Sequence, residues 1–164
     1  MNLLKMCNTM LAHKGQREQT LKTIEELNEL SAQIINTYHI SIKRNHNDSL
    51  YDLACEVADV ETMLIQMGIV FKFPVDVQSL DRKETYDVVF IGEQGTLITV
   101  AHINAAIGVI IDYLIGMRNS HEVQLVLGAL ALHISRIKMG IPTDIMFKAR
   151  VAKATKFLGY VEAL

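Results

Sequence analysis

Proline stands at only two positions in this 164-residue chain, Pro74 and Pro142. Inside a helix proline removes a backbone hydrogen bond and clashes with the preceding turn, so the long proline-free stretches are free to be helical. Their apolar residues recur at helical spacing. Leu21, Ile24, Leu27, Ile34 and Ile35 mark one helix from Gln16 to about Tyr38. A polar segment, Lys43 to Ser49, then reads as a turn in which Asp48 or Ser49 caps the next helix. That helix is predicted from about Leu50 to Val70, with Pro74 ending it. Residues 3–13 read as a short helix or arm. After a connector carrying Asp81, Arg82, Lys83 and Glu84, and a β-prone run from Tyr86 to Ile91 read as a strand or an extended linker, helices are predicted at about 95–117 and 121–140. Pro142 breaks the chain again, before a last basic helix from about Asp144 to Phe157.

An internal repeat organises these helices. A shift of 76 positions brings Thr20, Leu21, Thr23, Asn28, Ile34 and Ile35 onto Thr96, Leu97, Thr99, Asn104, Ile110 and Ile111. A shift of 72 brings Leu53, Ile65, Met67, Gly68 and Ile69 onto Leu125, Ile137, Met139, Gly140 and Ile141. The predicted fold is therefore all-α. Its four-helix core consists of two tandem antiparallel helical hairpins, the second a degenerate copy, with flanking N- and C-terminal helices. One domain spans 1–164: an acidic hairpin at 16–73, a connector at 74–94, the degenerate hairpin at 95–141 and the C-terminal helix at 142–164. The second copy loses every acid of the first. Glu25, Glu26 and Glu29 meet Ala101, His102 and Ala105, and Glu56 and Asp59 meet Gly128 and Ala131.

Composition narrows the function. Half the residues are hydrophobic, tryptophan is absent, and the net charge of −2 leaves no electrostatic footprint for nucleic acid. Cys7 and Cys55 are too few for a disulfide framework, and the first fifteen residues lack the apolar run of a signal peptide. These features point to a reduced, cytoplasmic chain. The apolar stretch Leu97 to Met117 carries His102, Asn104 and Asp112, which are expensive in hydrocarbon, and is read as a core helix with no membrane partner. The many apolar helix faces lead us to expect a homo-oligomer, a dimer first.

Two acidic clusters carry the chemistry: Glu25-Glu26-Leu27-Asn28-Glu29 and Glu56-Val57-Ala58-Asp59. Residues three apart share a helix face. Glu56 and Asp59 fall among Leu53, Val60, Met63 and Leu64, an apolar surface, whereas Glu61 falls on a stripe read as solvated. A buried carboxylate must be protonated, paired with a cation or bound to a metal. All-carboxylate oxygen ligation selects a hard cation, Mg²⁺ or Mn²⁺, over zinc. His13, His39, His46, His102, His121 and His133 are scattered and read as surface or packing residues. Walker-type phosphate loops and serine-nucleophile motifs are absent. Such a cluster suits hydrolysis of a phosphate ester or anhydride.

The paired pattern Glu-Glu-x-x-Glu and Glu-x-x-Asp, separated here by the 26 residues from Leu30 to Cys55, resembles the MazG-type all-α nucleoside triphosphate pyrophosphohydrolases. That superfamily also includes dimeric dUTPases and dCTP pyrophosphatases. Gln19 to Ile24 before the first motif and Val60 to Met67 after the second are similar in style, so the resemblance covers about 16–73. It implies Mg²⁺-dependent cleavage of a nucleoside triphosphate between the α and β phosphates. It further implies Glu26, Glu29, Glu56 and Asp59 as metal ligands, with Glu25 orienting or deprotonating the attacking water, a role Glu29 can share. Lys148, Arg150 and Lys153, with Lys156, would form the phosphate-holding basic segment. The family's Lys-x-x-x-Asn pattern is not matched there, because Ala152 stands four residues after Lys148. The alternative reading is a non-catalytic nucleotide-binding protein or helical adaptor on the same scaffold.

Overall fold

The computed structural model describes residues 2–43, 47–73 and 93–164. Among these, the fold is all-helical: α1 (Leu3–Lys14), α2 (Gln16–Lys43), α3 (Asn47–Phe71), α4 (Glu93–Leu114), α5 (Ser120–Met139) and α6 (Thr143–Glu162). The run Tyr86 to Ile91, read as a strand or linker, lies outside the described residues. So does Pro74. α3 ends at Phe71, where Lys72 turns left-handed (φ 55°) and the Phe73 N–H donates to the Gly68 carbonyl. This closure of the last turn comes before the proline is reached. α3 also starts at Asn47, so Asp48 and Ser49 lie in its first turn and not at a cap.

The other helix ends follow local chemistry. Asn2 caps α1 through Lys5 N–H. Gly116 (φ 81°) ends α4, with its own N–H on the Tyr113 carbonyl and that of Met117 on the Asp112 carbonyl. This paired closure requires the left-handed conformation that glycine adopts without strain. Asn119 and Glu122 then form a reciprocal capping box on α5.

α2 packs on α3 and α4, and α5 packs on α3 and α4, making a four-helix ring. Adjacent members run antiparallel. Arg17, at the start of α2, donates to the Leu114 carbonyl at the end of α4 (3.4 Å), and the Thr20 hydroxyl of α2 reaches the Met67 sulfur late in α3 (3.8 Å). The core is built from Leu27, Leu30, Leu64, Met67, Ile103, Ile110, Leu127, Leu130 and Ile134, all fully buried. α6 covers α3 from outside the ring, and α1 fills the angle between α3 and α6. Cys7 on α1 is buried, and burial pushes its thiol up to about 12, which suits a packing role for a protonated sulfur.

Burial agrees only in part between the positions paired by the two shifts. On α2 and α4 it agrees at the paired positions: Thr20 and Thr96, Thr23 and Thr99, Leu27 and Ile103, and Ile34 and Ile110 are buried, while Leu21 and Leu97, and Ile35 and Ile111, are exposed. Thr23 and Thr99 even make the same bond, each hydroxyl donating to the carbonyl four residues back. α3 and α5 diverge. Leu53 and Met67 are buried, but Leu125 and Met139 are exposed. The reason is position: α3 is enclosed by α1, α2, α5 and α6, whereas, among the described residues, α5 packs mainly on α3 and α4.

Candidate functional site

The first acidic motif lies midway along α2 and the second midway along α3, and the antiparallel packing of these helices brings them together. Glu26, Glu29 and Glu56 each offer a carboxylate oxygen, and the three oxygens lie within 4.8 Å of one another. Glu26 is buried, Glu56 is half-buried and Glu29 is exposed. The site thus has a closed floor and an open side. One Glu26 oxygen accepts from Lys22 Nζ at 2.7 Å. The other, Oε2, is buried with no hydrogen-bond partner, and so is Glu56 Oε2.

Asp59 lies outside this triad, with its carboxylate held by the Lys153 ammonium from α6. Its charge still acts on the cluster. Burial first, and the Asp59 and Glu29 charges second, raise the Glu26 pKa against the opposing pull of Lys22. Glu56 is raised for the same leading reason, burial, with Lys153 opposing and Asp59, Glu29 and Glu26 adding to the shift. Burial disfavours the Lys22 ammonium, yet Glu25 and Glu26 outweigh it and hold its pKa above the ordinary value.

A group whose folded pKa lies above its unfolded value stabilises the fold below the unfolded pKa, here 4.5. That stability is lost as the pH rises through the folded value. Without divalent cations, the melting temperature of the protein should therefore rise, relative to that of a Glu26→Gln/Glu56→Gln double variant, as the pH falls from 7 to about 5. Parallel pH profiles for the two proteins in EDTA would contradict this.

The structure places the remaining sequence-derived candidates less centrally. Glu25 is exposed and pairs with Lys22 at 2.8 Å. Lys148 is exposed. Lys156 lies 5.9 Å from the centre of the Tyr160 ring. Arg150 is turned onto Glu61, at 2.9 Å from Nε and 2.7 Å from Nη2. Glu61 itself corrects the sequence reading. It is not on a solvated stripe but is buried, with Lys138 of α5 also donating to it at 3.1 Å. Helix periodicity along α3 could not show this, because the covering cations come from α5 and α6.

Two further features escaped the sequence. Lys22 stands one turn before Glu26, and that four-residue spacing was the available signal. His102 of α4 and His133 of α5 stack with ring centroids 4.0 Å apart. Burial, then the neighbouring His102, lowers the His133 pKa.

The donor set fits a small hard cation. In an octahedral Mg²⁺ shell, with bonds of about 2.0–2.1 Å, opposite oxygens lie about 4.2 Å apart. Oxygens already within 4.8 Å need only small side-chain adjustments to reach that spacing, and Glu26 and Glu56 each carry one buried oxygen with no hydrogen-bond partner. Comparison with protein-family models, curated proteins and solved structures finds no match to this chain.

Proposed function

We propose that this protein is a Mg²⁺-dependent nucleoside triphosphate pyrophosphohydrolase of the cytoplasm, releasing a nucleoside monophosphate and pyrophosphate, with Mn²⁺ as a substitute ion. The observation that carries the reading is the convergence of Glu26, Glu29 and Glu56 from two helices, in which Glu26 and Glu56 each keep a buried oxygen, Oε2, without a hydrogen-bond partner. Leaving such oxygens unsatisfied costs about 1–3 kcal/mol each, a cost that bound cations would relieve. The reaction class rests on the resemblance of the paired motifs to the MazG-type enzymes.

In this reading Glu26, Glu29 and Glu56 hold the metal. When bound, it polarises the phosphoryl oxygens and activates water for attack. Glu26 and Glu56 form the dry floor, where low dielectric strengthens their grip. Glu29, on the open side, faces the entry route of substrate, and it or Glu25 orients the attacking water. Asp59 would be a further ligand if Lys153 released it, and Lys153 would then be able to meet a phosphate. Lys148 is exposed on the same helix as Lys153 and can meet one directly. Arg150 stays with Glu61 and holds α6 in place.

Lys153 therefore acts as a tethered cation competing with the metal. Lys153→Met should tighten Mg²⁺ binding by about 5–10-fold, roughly 1 kcal/mol, in a calorimetric titration without nucleotide. Weaker binding in that variant would contradict this role.

The Lys153–Asp59 contact also favours a second reading, in which α6 supplies permanent countercharge and the protein is a non-catalytic nucleotide-binding protein or helical adaptor. A panel of nucleoside triphosphates incubated with Mg²⁺ and assayed for pyrophosphate and monophosphate separates the two. Pyrophosphate from at least one nucleotide, lost in Glu56→Gln, supports the enzyme. Phosphate without pyrophosphate refutes the bond assignment, and no turnover with any nucleotide leaves the binding role.

A further inference from the structure

Little holds α1 to the rest of the fold. Of its 12 residues only Met6 and Cys7 are fully buried. What it covers on α3 is polar. Gln66 is 0% exposed, and among the described residues neither its side-chain oxygen nor its nitrogen has a hydrogen-bond partner of normal geometry. The amide is aimed at the Cys7 sulfur, a weak acceptor. Burial pushes the Cys7 thiol up to about 12, and the Gln66 amide offsets this only in part. An amide shut away from water without a partner opposes the closed arrangement.

The join between α1 and α2 opposes it as well. Gly15 stands at φ 82° and ψ 161°, a combination open in practice only to glycine. Its N–H already donates to the Leu11 carbonyl, and its own carbonyl accepts from the Gln19 N–H. Both are four-residue helical bonds. Rotation of Gly15 to helical angles would therefore join α1 and α2 into one proline-free helix from Leu3 to Lys43. Cys7 would then stand about 13 Å beyond the start of α2, clear of α3, and the Gln66 amide would meet water.

We propose that α1 opens in this way, and that Cys7 is a cryptic site of thiol–disulfide exchange with small-molecule disulfides such as oxidised glutathione. Closed, the thiol is protonated and enclosed, and it is inert. Open, it is a solvated cysteine whose thiolate attacks a disulfide sulfur. A bond forms between the Cys7 sulfur and that sulfur, the original disulfide bond breaks, and the leaving thiolate takes up the proton that Cys7 lost. The attached group has no room at a side chain that is 0% exposed when α1 is closed. The adduct thus holds α1 open until a free thiol removes it by the reverse exchange. Cys55 differs in kind: it is half-buried and lies away from the join, within α3.

The test is to incubate the full chain with oxidised glutathione across a range of urea and to follow each cysteine by peptide mass mapping. Cys7 should gain glutathione while far-ultraviolet dichroism stays that of the folded protein. Below the unfolding transition its rate should be nearly independent of urea, because opening one short helix exposes little surface. Gly15→Ala replaces the residue that tolerates the closed angles by the best helix former, and should speed the Cys7 reaction by about 10-fold. Gln66→Leu removes the unpartnered amide and should slow it by about 10-fold, the equivalent of about 1.4 kcal/mol. Cys55 should react at one rate in all three proteins. A folded wild type whose Cys7 stays unmodified, or a Cys7 rate that climbs with urea as steeply as global unfolding, would overturn the proposal without recourse to any variant. So would a Gly15→Ala protein that reacts no faster, a Gln66→Leu protein that reacts no slower, or equal changes at Cys55.

Discussion

Glu61→Ala is expected to lower the melting temperature by about 6–12 °C, the equivalent of about 3 kcal/mol for a chain of this size. Glu61 is the point at which three helices are tied by charge. It lies on α3, receives Lys138 from α5 and accepts two bonds from Arg150 on α6. Its own carboxylate is buried, while the Arg150 side chain is 34% exposed, so solvent screening places the loss at the low end for a broken buried pair. Removing the acid takes away the anion that Lys138 and Arg150 share. Because α6 also delivers Lys153 to Asp59, the same substitution should loosen the acidic site. Glu61→Gln, which keeps an acceptor, should lose less. A shift below 2 °C for Glu61→Ala, measured by calorimetry, would show that the network is screened and that apolar packing alone holds α6.

Glu26→Gln should have two effects of opposite sign. Pyrophosphate release should fall by more than about 100-fold, exceeding the 10–100-fold loss typical of groups that only orient a metal ligand. In EDTA at neutral pH, however, the variant should melt about 2–4 °C above the wild type, an amount worth about 1 kcal/mol. The physical reason is the same for both. Burial and the Asp59 and Glu29 charges make an ionised Glu26 unfavourable, and the neutral amide escapes that penalty while losing the charge that grips a cation. Active sites commonly trade stability for function in this way. The contrast should invert with Mg²⁺, which stabilises only the protein that binds it. A variant that is less stable than wild type in EDTA, or fully active with Mg²⁺, would show that Glu26 serves packing and its Lys22 bond alone. Calorimetry with and without Mg²⁺, run beside the pyrophosphate assay, reads both effects.

Much of this arrangement was legible in the chain because helices write their geometry at short range. The sequence pattern located α2 to α6 to within about five residues at each end and left α1 open as a short helix or arm, and three-residue spacing put Glu26 with Glu29 and Glu56 with Asp59. The antiparallel packing of α2 on α3 was expected because the polar segment Lys43 to Ser49 is too short for a parallel crossover. What stayed hidden depends on contacts between distant segments. Glu61 looked solvated because its cations stand 77 and 89 residues away. Asp59 looked equivalent to Glu56, and the lysine that singles it out arrives from α6, 94 residues on. The His102–His133 stack likewise joins two helices that the chain presents as separate patterns. Helix ends were read least well where no stop signal stands nearby: α2 runs on to Lys43, past the expected Tyr38, and α6 to Glu162, past the expected Phe157.

The most direct measurement is the binding of Mn²⁺ to metal-free protein, followed by electron paramagnetic resonance, in the wild type and in Glu56→Gln. If Glu26, Glu29 and Glu56 grip a divalent ion together, the free-ion signal should be quenched by stoichiometric wild-type protein, restored by excess Mg²⁺, and left nearly unchanged by the variant. Equal signals from both proteins, or a wild type that never retains Mn²⁺, would mean that the acids converge without holding a metal.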